Sequence, residues 1–369
     1  MSSVLASSTT APGSSHVPAP NLVSGNARVD LLKRLGLEFD TIISDDGGSF
    51  VTMACHDAAG RRVVLKYLQR ESVDARRRLH NETVLLKHLP ARRPLRLLTH
   101  RGSGPEYLLT EFDSGTLLYP DALDSRTIET VAGALAHFQS MRPDLERCGI
   151  ADREKLSTYY LKVLVKNLLH LWPAHISASE ALRCQAIVSQ ALQAICRHSV
   201  ICHGDFLPTN LLHHHEDDSV TFTDLEGFIS ANHPLFDVLA FCTISSLDLN
   251  DWKWQRQFLS HYFDATRQTL GLDPRARDYR TAYRGILIFF LVYRLSEQRM
   301  GLSGGAYFDG VGKRRFLVRK VRGLAAGRRA SWHDDGVGAA LDIRKRNLRR
   351  ALSRSSDELF ESMHATLTV

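Results

Sequence analysis

Cysteine is sparse and scattered: Cys55, Cys148, Cys184, Cys196, Cys202 and Cys242 are the six in 369 residues, and no pair has CxxC spacing. A disulfide framework or a thiolate zinc site is therefore not expected, and a reducing, cytoplasmic setting fits better. Long hydrophobic runs are missing too. The longest, Gly285 to Val292, falls far short of the roughly 20 residues that a spanning helix needs, and it reads as a buried helix. The first twenty residues are rich in Ser, Ala, Thr and Pro but lack a basic start and a continuous apolar stretch. They do not read as a signal peptide, and residues 1–26 are expected to be a disordered lead-in. No internal repeat is visible.

What remains is ordinary for a globular chain: 44% hydrophobic and 24% charged residues. The length exceeds what one hydrophobic core usually supports, so two lobes are expected. The formal charge of +7 is unevenly placed, with fourteen Lys/Arg against three Asp/Glu between Lys313 and Arg354. Such a surface attracts phosphates, anionic lipid heads or nucleic acid, or else forms a solvated helical face.

Period-two stretches at Phe39–Ser44, Phe50–Cys55 and Arg62–Leu68, separated by Asp45-Asp46-Gly47-Gly48 and Asp57-Ala-Ala-Gly60, predict an antiparallel meander. A short helical pattern over Ala27–Leu37 precedes it, a helix over Arg70–Leu89 follows, and Leu95–Thr99 and Glu106–Phe112 read as two more strands. From Ser125 onward the pattern is helical: Thr127–Met141, Arg153–Leu171, Ser177–His198, and helices from about Leu235, Asp251 and Tyr279. One hairpin, Leu211–His214 and Val220–Asp224, is expected to interrupt them. Helical patterns also cover Ala306–Ala326 and Ala339 to about His364. A β-rich first lobe followed by a helical lobe is an α+β, two-lobed plan.

The strongest chemical signal is His203-Gly-Asp-Phe-Leu-Pro-Thr-Asn210, followed by Phe222-Thr-Asp224-Leu-Glu226. Phosphoryl transfer needs a carboxylate to orient and deprotonate the attacking hydroxyl, and oxygen ligands to hold Mg²⁺ against nucleotide phosphates. Asp205 and Asn210 on one tight loop, with Asp224 after the next strand, supply both. Asp205 takes the base role; Asn210 and Asp224 take the metal roles.

This His-x-Asp-x-x-x-x-Asn loop resembles the catalytic loop of the aminoglycoside phosphotransferase and choline kinase superfamily, a relative of the protein kinases. The resemblance covers roughly Phe39 to Tyr293. It implies a kinase-like fold with a nucleotide-binding lobe (27–113), a helical lobe (114–311) bearing the catalytic loop and the acceptor site, and a basic extension (312–369). It also implies ATP or GTP with Mg²⁺, and transfer of the γ-phosphate to the hydroxyl of a small molecule. Val63-Val-Leu-Lys66 resembles the strand whose Lys holds the α- and β-phosphates. Glu82 is the chosen partner for that Lys; Glu71, at the helix start, is the alternative and reads better as a cap. Gly47, Gly48 and Ser49 sit where the phosphate-covering turn belongs, with Asp45 and Asp46 expected to face solvent. Glu111, Phe112 and Asp113 resemble the hinge whose backbone receives the base. The Asp224-x-Glu226 form, closer to the choline kinase pattern than to D-F-G, makes Glu226 a further metal candidate. Asp237 matches a position that braces the catalytic loop through backbone N–H bonds, and His203 is read the same way. The run His213-His-His215 reads as a solvated turn rather than a metal site.

The acceptor is less legible. Asp248, Asp251 and Glu297 could receive a polycation, and Trp252, Trp254, Tyr262 and Tyr283 could cage a choline-type group, although such aromatics are more often core. A sugar-like or antibiotic-like hydroxyl compound ranks first, ahead of an amino alcohol or a glycan head group. The basic tail allows peripheral contact with anionic membranes, and no nucleic-acid partner is expected. The intact set of Lys66, Glu82, Asp205, Asn210 and Asp224 argues against a non-catalytic kinase fold. The short span from Asp224 to Asp237, without A-P-E, argues against a protein kinase.

Overall fold

The computed structural model describes residues 25–45, 49–91, 93–119, 123–141, 156–245, 253–273, 275–299, 345–355 and 358. The first lobe opens with helix α1 (Gly25–Leu35) and the meander β1 (Glu38–Ser44), β2 (Phe50–His56) and β3 (Arg62–Leu68). Helix α2 (Val73–His88) follows, started by the Ser72 hydroxyl, which accepts the Ala75 N–H at 3.0 Å. The cap is therefore Ser72 and not Glu71, whose carboxylate pairs with Arg76 instead.

The sheet of this lobe differs from the expected one at a single strand. Its order is β1-β2-β3-β6-β5, antiparallel throughout, with β5 at His100–Gly104 and β6 at Tyr107–Glu111. The apolar stretch expected to complete it shrinks to β4 (Leu95–Leu97), which leaves for the second lobe and pairs in parallel with β10 (Ser219–Phe222). Leu95 is fully buried in that junction. Strand β5 carries two glycines and a register shift, so propensity gives it no signature; its pairing with β6 creates it.

Period two sorts the side chains of β2 and β3 between two faces, whereas β1 is exposed along its length. Val51, Met53 and Cys55 of β2 with Val63, Leu65 and Tyr67 of β3 bury one face against Leu31 and Leu32 of α1. Lys66, paired across the ladders with Thr52 and Leu108, therefore points to the opposite face, toward α2.

The second lobe contains α3 (Ser125–Ser140), α4 (Leu156–Leu171), α5 (Ala178–Arg197), α6 (Leu235–Ser245), α7 (Lys253–Thr269) and α8 (Arg277–Arg299). Asp124 caps α3, and Ser177 with Glu180 forms a capping box on α5. The expected hairpin is β9 (Leu211–His214) with β10, extended by β7 (Thr116–Leu117) into a four-stranded sheet. A ribbon of β8 (Val200–Cys202) and β11 (Ile229–Asn232) was not anticipated, and its strands are too short to show a period. The run Gly285–Val292 lies within α8, with Ile286 to Val292 all buried. No helix among the described residues is long and apolar enough to cross a membrane.

Residues 345–353 form a last helix, α9. Leu348, Ala351 and Leu352 join the main core, and Arg349 pairs with Glu180 of α5 at 2.9 Å. This part of the basic extension is thus docked on one side and is not a freely solvated face. The expected helix over Ala306–Ala326 and residues 1–24 of the expected lead-in 1–26 lie outside the described residues, as does Cys148, while residues 25 and 26 are not disordered but begin α1.

Helices α5 and α8 cross at Gly285, where an added Cβ would stand 2.3 Å from the Ala191 Cβ. Alanine there gains about 1 kcal/mol of helix propensity, but overpacking typically costs about 1–3 kcal/mol. Gly285→Ala should therefore lower the urea midpoint. A raised midpoint would mean that the two helices part freely.

Candidate active site

Strand β3 delivers Lys66 into the cleft, where it is 8% exposed. Its ammonium meets Glu82 Oε2 at 2.9 Å, Asp224 Oδ1 at 2.7 Å and Glu226 Oε2 at 2.8 Å. Burial alone would pull the Lys66 pKa down, yet the three carboxylates hold it well above the usual lysine value. Burial pushes the Asp224 carboxyl up, but Lys66 outweighs it and leaves Asp224 below the usual range. For Glu82 and Glu226 burial prevails over the pull of Lys66, with repulsion from Asp224 adding to it, and both are raised.

The loop after β8 is built on backbone. Asp237, at the start of α6, accepts the His203 N–H at 2.8 Å and the Gly204 N–H at 3.0 Å, one on each oxygen. The His203 ring accepts the Asp205 N–H on Nδ1 at 3.4 Å and donates from Nε2 to the Thr223 carbonyl at 2.9 Å. Those partners require the neutral imidazole, in keeping with burial lowering its pKa. Gly204 has φ +86°, and a Cβ on it would lie 1.8 Å from the Gly227 carbonyl oxygen, so only glycine fits.

Asn210 closes the loop. Its Nδ2 donates to the Asp205 carbonyl at 2.9 Å and to Asp205 Oδ2 at 3.2 Å, while its own carbonyl accepts the Thr223 N–H at 3.0 Å. The residue before Asp224 is thus tied to both His203 and Asn210. Asp224 itself is left-handed, φ 57° and ψ 50°, a conformation that Asp tolerates better than most residues. The structure therefore gathers Lys66, Glu82, Asp224 and Glu226 in one cluster, beside the loop that holds Asp205 and Asn210.

The donor set suits a hard divalent cation. Glu82, Asp224 and Glu226 each offer a carboxylate oxygen, all within 4.8 Å of one another. Lys66 touches all three, so oxygens able to hold a divalent ion here share one monovalent charge.

Other expected residues are placed as follows. Ser49 lies beside the cluster, while Asp46, Gly47 and Gly48 fall outside the described residues; Asp45 is exposed. The Glu111 and Phe112 N–H groups donate to Thr99 and Arg62 carbonyls at 2.9 and 3.3 Å. A base held at this hinge would be read by carbonyl oxygens or by amides beyond Phe112. The Glu111 carboxylate pairs with Arg101, and the Phe112 ring lies 4.0 Å from the Arg62 guanidinium. Asp113 turns away, accepting from Gly115 N–H at 2.8 Å and Thr221 Oγ1 at 2.7 Å. A cavity of about 360 Å³ touches Glu111, Phe112 and Asp113 but is lined by Arg96 and His214, with neither Lys66 nor Asp224, so it is separate from the cluster.

The histidine run corrects the expectation of a solvated turn. His213 and His214 are buried, His213 against Asp218 at 3.1 Å and His214 against Asp113 at 3.0 Å; only His215 is exposed. Strand alternation and the β7 neighbour enclose them. Of the candidate acceptor aromatics, Tyr262 and Tyr283 are core, and Trp254 packs edge-on against Phe241 with ring centres 5.4 Å apart. Trp252, Asp248, Asp251 and the side chain of Glu297 lie outside the described set.

The profile of the phosphotransferase enzyme family matches residues 42–282, spanning every residue of the cluster and the loop. This chain belongs to that family. No curated protein sequence matches it significantly. Among solved structures, the phosphotransferase is similar to macrolide 2'-phosphotransferase MphH from Brachybacterium faecium, with 17% identity over 86% of this chain and 98% of that one, at a TM-score of 0.51. It is also similar to a thermostable mutant of aminoglycoside phosphotransferase APH(4)-Ia in complex with ADP and hygromycin B, with 12% identity, 89% and 99% coverage and a TM-score of 0.55. Choline kinase from Cryptosporidium parvum Iowa II gives 11% identity, 94% and 100% coverage and a TM-score of 0.55. At such identities the likeness concerns the fold, which is two-lobed and kinase-like.

Sequence reasoning passed over three residues that shape this phosphotransferase site. Phe206 anchors the loop from behind, its ring centre 5.1 Å from that of Phe222 and 5.3 Å from that of Phe241. Arg78, one turn before Glu82, bonds to Glu226 and Ser49. His233 turns the chain into α6, accepting the Leu235 N–H on Nδ1 at 3.2 Å. Only its place before Pro234 and Asp237 could have suggested that.

Burial lowers the His233 pKa to about 3, against about 6.5 for a free imidazole. Below that free value the unfolded chain binds a proton that the folded chain refuses. Stability is thus complete above about pH 6.5 and falls with pH, by at most about 1.4 kcal/mol per unit for this group. In equilibrium unfolding between pH 7.5 and 4.5, His233→Asn should show a shallower slope than the wild type. Parallel slopes would mean that His233 titrates normally when folded.

Proposed function

We propose that this phosphotransferase moves the γ-phosphate of ATP or GTP to a hydroxyl of a small acceptor, sugar-like or antibiotic-like, with Mg²⁺ as cofactor. One observation carries the reading: buried Lys66 and Glu82 meet the partly exposed Asp224, which is linked through Thr223 to the loop holding Asp205 and Asn210. The first lobe (27–113) would hold the nucleotide, and the helical lobe (114–311) the acceptor.

Asp205 would accept the proton of the attacking hydroxyl, its carboxylate held in place by the Asn210 amide. Lys66 would steady the nucleotide phosphates, with Glu82 fixing the ammonium from behind. Asn210, Asp224 and Glu226 would hold Mg²⁺, which, when bound, neutralises charge building on the phosphate oxygens. His203 and Asp237 act through the loop and not on the substrate. The basis for the acceptor class is the similarity to proteins named for macrolides, aminoglycosides and choline, all small hydroxyl compounds.

A screen of hydroxyl compounds with labelled ATP and GTP should yield a phosphorylated acceptor. Asp205→Asn should then lower kcat by about 10²–10⁴-fold, with the KM for nucleotide little changed. Lys66→Ala should depress turnover and raise the nucleotide KM together. An Asp205→Asn enzyme with wild-type kcat would remove Asp205 as the base.

A further inference from the structure

Arg78 and Glu82 are four residues apart on α2, so both side chains leave the helix on its cleft side. The Arg78 guanidinium is engaged on both prongs. Nη1 donates to Glu226 Oε1 at 2.7 Å, and Nη2 donates to Ser49 Oγ at 3.1 Å. Nε stands 3.3 Å from Asp74 Oδ2, and Cζ lies 5.1 Å from the centre of the Phe50 ring. Ser49 directly precedes β2, and its carbonyl accepts the Gln69 and Arg70 N–H groups at 2.8 and 3.3 Å. Glu226 turns its second oxygen to Lys66 at 2.8 Å. One planar side chain therefore joins the helix that carries Glu82, the turn at Ser49, and the loop that carries Asp224 and Glu226.

We propose that Arg78 is a positioning residue that couples the turn at Ser49 to the orientation of Glu226 toward a divalent cation. The inference rests on the nucleotide-and-cation reading above. Arginine suits the task because its donors form a rigid fork, whereas a lysine ammonium at the end of a flexible stem would meet one partner and lose the other. With Oε1 gripped by Arg78, Oε2 stays aimed at the point where Asp224 and Glu82 converge. Ser49 accepts from Arg78, so a nucleotide that fixes Ser49 and a cation that fixes Glu226 favour one guanidinium position. By linkage, each ligand then strengthens the other.

The test is ADP binding to the full chain by calorimetry and by thermal shift, in EDTA and across a Mg²⁺ titration. Wild type, Arg78→Met, Arg78→Lys, Ser49→Ala and the Arg78→Met/Ser49→Ala double variant are compared. Arg78→Met should raise the Mg²⁺ concentration for half-maximal ADP affinity about tenfold, while ADP affinity in EDTA stays within about twofold. Arg78→Lys should fail to restore it. Ser49→Ala, which removes one hydroxyl from a half-buried side chain and should leave the fold intact, should shift the same midpoint a fewfold, and the double variant should be no worse than Arg78→Met alone. An unchanged Mg²⁺ midpoint in Arg78→Met, or in Ser49→Ala should the arginine variant not fold, would overturn the coupling. An equal loss of ADP affinity with and without Mg²⁺ would make Arg78 a direct phosphate ligand and overturn it as well. A wild-type chain that binds no nucleotide under any condition would instead refute the kinase reading itself.

Discussion

A lysine ammonium taken out of water demands carboxylate partners, because a buried charge left unpaired costs several kcal/mol. Lys66 meets that demand with three carboxylates from two places in the chain: Glu82 from α2, and Asp224 and Glu226 from the loop after β10. The consequence is architectural. Helix α2 must lie against β3, and the loop must lie against α2, where the Leu225 N–H also reaches the second oxygen of Glu82 at 3.2 Å. A few polar contacts thus fix the first lobe on the second at the point where the proposed chemistry occurs, and the hydrophobic core running from Leu79 and Leu85 through Leu95 to Phe222 backs them.

The loop holding Asp205 obeys a different constraint, that of backbone amides needing acceptors inside a protein. Asp237 answers for His203 and Gly204, and the His203 ring answers for Asp205. Asp237 is wholly buried, and burial raises its pKa against the pull of these donors. The close approach of Gly204 to Gly227 brings the Asp205 loop against the Asp224 loop without a side chain between them. Lys66 is held by charge and Asp205 by backbone geometry, and Thr223, next to Asp224, links the two through His203 and Asn210.

The sequence showed most where chemistry needs a fixed residue type at a fixed spacing. That Lys66, Glu82 and Asp224 would come together beside Asp205 and Asn210 was legible because few residue types suit such chemistry, and the order of the motifs left little freedom. The two-lobed plan was legible from the change of period near Ser125. What stayed hidden depends on pairing across long separations. The departure of β4 to the second sheet depends on Val220 and its neighbours, more than a hundred residues away. The burial of His213 and His214 depends on Asp113 and on β7. Arg78 looked like one arginine among three in a row, and only the fold shows which of them faces the cleft.

The cluster also ties stability to turnover. In this structure Lys66 and Arg78 set two positive charges against the three carboxylates Glu82, Asp224 and Glu226, and burial raises two of those carboxyls above their usual range. In the proposed reaction, Lys66 must turn part of its attention to phosphate while Asp224 and Glu226 take a divalent ion. The contacts that hold the lobes together at rest are therefore the ones to be exchanged during catalysis. A divalent cation would bring two positive charges as the nucleotide phosphates arrive, offsetting part of their negative charge. Arg78 makes the exchange less disruptive, since it can keep Glu226 in place while Lys66 lets go. A cluster held by Lys66 alone would have to break all its bonds at once.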